Sequence, residues 1–181
     1  AGYVCIRVDI AGTGDSDGVF DDEYSEQELS DGEAVLAWIA ARDWCDGKIG
    51  MIGISWGGFN GLQLAYRQPE SLKAVVSIAS TTDRYADDIH FMGGCLLSDN
   101  ANWAGQMFAY QSRPPDPALR PDWREVWLDR MENLPFMAAD WLHHPTRDGF
   151  WKHGSVGEDY GRINVPVLTT TGWADAYVNA P

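Results

Sequence analysis

Gly53-Ile54-Ser55-Trp56-Gly57 decides how this chain reads, because of what stands on either side of it. Residues 48–54 are a short, nearly continuous apolar run of the kind that forms a buried strand, and 56–68 read as a helix stopped by Pro69. A G-x-S-x-G motif on a strand-to-helix turn places its serine on a strained backbone, with small residues two places either side so that strand and helix can approach. The turn lifts the Ser55 hydroxyl to the carboxyl edge of a sheet. It also aims free amides of the helix start, that of Trp56 above all, at a developing oxyanion. Ser55 is therefore the expected nucleophile and Trp56 the expected backbone oxyanion donor.

Outward from this turn, an α/β rhythm appears. Residues 3–10 are β-branched and apolar almost throughout, and predict a parallel strand covered on both faces. Gly12, Gly14 and Gly18 end it. Ser25-Glu26-Gln27-Glu28 has the form of a capping box, and Leu29, Gly32, Leu36 and Ile39 follow at helical spacing as far as about Arg42. Trp44-Cys45-Asp46-Gly47 turns the chain into the strand before Ser55. Residues 72–79 predict a third strand and 165–171 a fourth. Between these last two the rhythm breaks into helical patches at 103–111, 123–132 and 136–143, and this stretch carries Trp103, Trp123, Trp127, Trp141 and Trp151. The expected organisation is a core part over 1–80, a helical cap insertion over 81–163 and a return to the core over 164–181.

A second pattern comes after the fourth strand. In Thr171-Gly172-Trp173-Ala174-Asp175-Ala176-Tyr177, a strand ends in glycine and a carboxylate stands three residues later. Chain order in serine hydrolases of this architecture is serine, then acid, then histidine, so Asp175 is the expected triad acid. An ordinary loop aspartate capping the next helix is the alternative for that residue.

Composition narrows the function classes. The chain has 181 residues with Lys+Arg 13 against Asp+Glu 27, a formal net charge of −14, and its field opposes nucleic acid and anionic membranes as partners. No apolar run approaches the ~20 residues that span a bilayer. Cys5, Cys45 and Cys95 form no CxxC pair, and the odd number fits a reducing, cytoplasmic setting. Gly12-Thr13-Gly14 with Gly18 has the wrong spacing for a dinucleotide fingerprint, and Asp15, Asp17, Asp21, Asp22 and Glu23 would repel a pyrophosphate. The same carboxylates lack the glycine placement of a calcium loop and read as a solvated acidic loop. His90, His143 and His144 lack metal-site spacing and read as surface or capping residues. No cofactor and no metal are expected.

The pieces Asp9-Ile10-Ala11-Gly12-Thr13-Gly14-Asp15-Ser16, Trp44-Cys45-Asp46-Gly47-Lys48-Ile49-Gly50, Gly53-Ile54-Ser55-Trp56-Gly57-Gly58 and Gly172-Trp173-Ala174-Asp175 together resemble one family. It is the X-Pro dipeptidyl-peptidase and cocaine esterase (CocE/NonD) group of α/β-hydrolases, which includes α-amino acid ester hydrolases and cephalosporin acylases. The resemblance implies an α/β-hydrolase fold with a helical cap, incomplete at both ends. It implies Ser55 as nucleophile, Asp175 as acid and the Trp56 amide as oxyanion donor. A triad histidine, a tyrosine oxyanion donor and a jelly-roll domain would then lie outside this chain. Trp173 and Tyr177, flanking the acid, are expected in the substrate pocket. The family's first loop carries arginine where this sequence has Ala11, which removes a local ionic tie for that loop. The expected function is that of a serine acyl hydrolase, an esterase, peptidase or acylase acting on a small ester, an amide or a short peptide. A catalytically silent α/β-hydrolase-fold binding module is the alternative.

Overall fold

The computed structural model describes residues 2–177, so the extreme ends of the two expected core segments, Ala1 and residues 178–181, lie outside the described residues. Helix α1 (Glu26–Ala40) starts as its capping box requires, with Ser25 Oγ accepting the Glu28 N–H at 3.2 Å. The return bond is displaced by one residue: Glu28 Oε2 accepts from the Tyr24 N–H at 2.6 Å instead of from Ser25. Strand β1 (Ile49–Ile54) then runs through the turn at Ser55 into helix α2 (Trp56–Arg67), and strand β2 (Leu72–Ile78) comes next. Strand β5 (Val167–Thr170) completes a three-stranded parallel sheet in the order β1-β2-β5. Val75 pairs with Met51 on one side and Val167 on the other.

Helices α1 and α2 cover one face of this sheet. Leu36, Leu64, Ala65, Leu72 and Val75 form the buried cluster there, with Ile49, Met51 and Val167 packed against it. Glycine in α2 makes the approach close. A Cβ at Gly61 would stand 2.8 Å from Val75 Cγ1, and one at Gly58 would stand 2.9 Å from Ser77 Oγ. Alternate β1 residues point away from the helices, leaving Ile52 and Ile54 exposed, as is Leu168 of β5. The parallel sheet with helices against it is the α/β architecture expected from the sequence.

Residues 3–10 depart from that expectation. They form no strand among the described residues, and Tyr3, Val4, Ile6 and Val8 are exposed. An apolar run supplies faces to bury, but a strand exists only through a ladder partner, and no described residue pairs with this segment.

Between β2 and β5 the chain forms a two-stranded ribbon, β3 (Phe91–Met92) with β4 (Cys95–Leu96), and helices α3 (Asp99–Gln111), α4 (Trp123–Asn133), α5 (Met137–His143) and α6 (Gly149–Lys152). Their shared core is a second cluster, in which Phe91, Ala104, Met107, Met137, Ala138, Trp141 and Trp151 surround Phe20 from the loop before α1. Trp56 packs against its margin. Cys5, Cys45 and Cys95 are free thiols. No described helix is long and apolar enough to cross a membrane.

Candidate active site

Ser55 has φ 50° and ψ −118°, a left-handed backbone that a residue with a Cβ adopts only under constraint. Three features impose it. The Ser55 N–H donates to Ile78 O of β2 at 2.8 Å, its carbonyl accepts from the Phe59 N–H at 2.9 Å, and Gly53 lies directly against the backbone of Gly57. A Cβ on Gly53 would overlap that backbone, whereas a Cβ on Gly57 would meet nothing. The two glycines of the motif therefore differ in role: Gly53 is the one the close approach requires.

Trp56 is the first residue of α2, directly after Ser55, so its backbone N–H has no partner inside the helix. Its side chain is held from the other direction. The ring lies 5.7 Å from Phe20, 5.5 Å from Tyr24 and 6.3 Å from Trp103, and the indole N–H donates to Glu28 Oε1 at 2.6 Å.

Ser55 Oγ lies 3.2 Å from the Tyr177 hydroxyl. Burial pushes the Tyr177 phenol up, and the nearby Asp88 carboxylate adds to that shift. Asp175 Oδ1 accepts the Tyr177 N–H at 3.0 Å, and no hydrogen bond among the described residues joins it to Ser55. The structure thus brings Tyr177 to Ser55, ties Asp175 to the Tyr177 backbone two residues away, and leaves Trp173 fully exposed. Three histidines are engaged elsewhere: His90 with Glu23 and Asn100, His144 with Asp148, and His153 with Tyr24 O.

Two expectations from the sequence fail at this point. His90 is not a surface residue, and the acidic loop before α1 is solvated only in part: Asp17 and Asp21 are exposed, whereas Asp22 is half-buried and Glu23, like His90, is fully buried. Glu23 Oε1 meets His90 Nε2 at 2.5 Å and Arg84 Nη2 at 3.8 Å, while its other oxygen accepts the Trp103 indole N–H at 2.8 Å. Asp22 accepts the Trp141 indole at 2.9 Å. Tryptophans from α3 and α5 cover these carboxylates and satisfy them at once, so the loop can be both acidic and buried. Despite its burial, the charges of His90 and Arg84 hold Glu23 below the usual carboxylate range. Against its own burial, His90 is raised in turn by the Glu23 charge. Burial pushes Asp88 up to about 7.

Glu23, Asp88 and His90 offer ligand atoms all within 4.8 Å of one another, a spacing a metal ion could use. Arg84 argues against one. Its guanidinium already brings positive charge to Glu23 and stacks 5.2 Å from the Tyr24 ring, so the cluster is balanced as a buried ion-pair network. No signal in the sequence joins Glu23 to His90, since 67 positions separate them.

Residues 1–180 match the sequence pattern of the family described as X-Pro dipeptidyl-peptidase (S15 family). The chain is similar to a cocaine esterase from Rhodococcus, 27% identical over 98% of this chain and 34% of that protein. It therefore spans about a third of the length of that relative. Among solved structures it resembles a CocE/NonD family hydrolase from Staphylococcus aureus, with TM-score 0.67 and 26% identity, covering 87% of this chain and 25% of that one. An α-amino acid ester hydrolase shares the fold, with TM-score 0.57 and 21% identity over 87% of this chain and 30% of that one.

Proposed function

The chain belongs to the X-Pro dipeptidyl-peptidase (S15) family, and from that premise we propose that it carries the nucleophile of a serine acyl hydrolase. Ser55, giving its proton to a histidine, attacks the carbonyl of a small ester, an amide or a short peptide, and the Trp56 N–H receives the oxyanion. The alcohol or amine leaves with that proton, and water, deprotonated by the same histidine, hydrolyses the acyl-serine to free the acid and restore Ser55. Asp175 serves as the acid that orients a histidine supplied from outside these 181 residues. Residues 81–163 act as a cap over the serine, and Tyr177 lines the pocket beneath it. Similarity to a cocaine esterase and the match to a family described as X-Pro dipeptidyl-peptidase support an ester or an X-Pro peptide as the substrate class.

One observation carries this reading. Among the described residues, Ser55 alone stands at a strand-to-helix turn with φ 50°, beside the first amide of α2, which has no partner inside the helix. A helix glycine-rich for packing alone would have no need of a strained serine at its entry. The test uses the protein that the full reading frame encodes. A fluorophosphonate probe should label a single serine, and Ser55→Ala should abolish the labelling. Undiminished labelling of the alanine variant removes Ser55 from the reaction.

A further inference from the structure

The Glu28 carboxylate bonds the residue next to the nucleophile. One of its oxygens accepts the Tyr24 N–H at 2.6 Å and so closes the entry to α1; the other accepts the Trp56 indole N–H, also at 2.6 Å. Its own N–H is tied to Ser25 Oγ, so the carboxylate projects from a backbone fixed at two points. The Trp56 ring, caught among Phe20, Tyr24 and Trp103, can rotate only if it leaves that bond. Anchoring the ring through this bond and these contacts holds the Trp56 Cα in place, and with it the backbone nitrogen bonded to that Cα.

We propose that Glu28 is a positioning residue for the oxyanion site: its carboxylate, shared between the α1 cap and the Trp56 indole, holds the Trp56 backbone N–H in place. The inference rests on Ser55 being the nucleophile. A carboxylate accepts more strongly than a neutral carboxyl, so the hold is full when Glu28 is ionised and weakens when it takes a proton. Burial pushes Glu28 up to about 7. Glu23 is the charged group whose field reaches it and adds to that rise; the Trp56 indole and the Asn60 side chain face it from α2 and oppose the rise, as does the Tyr24 N–H.

The experiment is steady-state hydrolysis of an activated aryl ester across pH, with the full-reading-frame protein and the variants Glu28→Gln, Trp56→Phe and both together. Glutamine has one acceptor oxygen for two donors, so one of the two bonds is lost. Outright removal of an oxyanion donor costs about 10²–10³ in kcat, and a donor displaced but present should cost about tenfold. Glu28→Gln is expected to lower kcat by that factor with KM held within about twofold, and Trp56→Phe to do the same. The double variant should be no slower than the slower single one, because both break one coupling. The wild type should lose activity with two protons on the acid side of neutrality, one for the base histidine and one for Glu28. Each single variant should lose it with one. Additive losses in the double variant, an unchanged two-proton limb in Glu28→Gln, or a kcat kept within twofold overturns the inference. Should Glu28→Gln fail to fold, as read from its thermal melt, Trp56→Phe keeps the ring packing and carries the same kcat and proton-count test. Fluorophosphonate labelling separates the two claims. Labelling that survives Ser55→Ala overturns both, and Ser55-dependent labelling with an unchanged Glu28→Gln overturns only the role of Glu28.

Discussion

Gly53 and Gly57 stand symmetrically about Ser55 in the sequence and unequally in space. A methyl group on Gly53 would run into the Gly57 backbone, so Gly53→Ala must separate β1 from α2 or distort the turn. That cost should exceed about 2 kcal/mol, in the range of overpacked sites. Gly57→Ala meets open space and gains the helix preference of alanine, up to ~1 kcal/mol, so it should be neutral or stabilising. Urea unfolding of the two variants checks the contrast, and equal effects would show that the turn is looser than its geometry. Legibility in the sequence also ends among single residues. Ser55, Trp56 and the capping box declare themselves because the glycines and polar residues of their motifs lie within a few positions. Glu23 with His90, and Glu28 with the Trp56 indole, are pairs 67 and 28 positions apart. Local pattern carries no trace of such pairs, and a buried acid looks in sequence like a solvated one.

Elements are legible where periodicity and end signals agree. Helices α1 and α2 and strands β1, β2 and β5 begin and end within a few residues of the expected positions, because caps, glycines and Pro69 punctuate them. Residues 3–10 show the opposite case, since a continuous apolar, β-branched run describes what a strand would bury and says nothing about its partner. In the first loop, 9–18, Ala11 stands where the family has arginine, and the sequence offers no local ionic tie. The tie comes instead from across the chain. Arg130 of α4, itself buried, donates to Gly14 O at 3.0 Å and to Ser16 O, and Arg120 reaches Asp15 O at 3.1 Å and Asp17 at 2.8 Å. Arg130→Met keeps much of the side-chain volume and removes both Arg130 donors. The amides of Gly12, Thr13 and Ser16, bonded within the loop, should then exchange with solvent about tenfold faster, while Val75 in β2 keeps its protection. Unchanged loop exchange would assign the loop's order to Arg120 and to the loop's own turns.

For the whole molecule, a formal net charge of −14 and the buried acids Asp22, Glu28 and Asp88 act in one direction as pH changes. Asp22 is pushed up to about 6 and Glu28 and Asp88 to about 7, mainly by burial. A carboxyl whose folded pKa is raised binds its proton more tightly in the native state. Its burial therefore costs little while it is protonated, and stability is lost as pH rises through the folded value. His90 is raised as well, so its contribution is full below about 6.5, the unfolded value, and is lost as pH rises past the folded one. Glu23 runs the other way: its lowered pKa supplies stability above its ordinary value of 4.5 that is lost as pH falls through the folded one. The raised groups outweigh Glu23, so stability falls between about pH 5 and about pH 8, by at least about 3 kcal/mol. For a domain of this size that lowers Tm by roughly 6–12 °C. Self-repulsion of the negative surface acts in the same direction, and salt separates the two causes. In about 1 M salt the screening length is ~3 Å, so surface repulsion vanishes while groups buried from the ions keep their shifts. Thermal unfolding of the chain in high salt should thus retain most of the fall between about pH 5 and about pH 8. A Tm unchanged across that interval in high salt would mean that Asp22, Glu28 and Asp88 titrate as surface groups, and that the carboxylate holding Trp56 is never asked to give up its charge near neutrality.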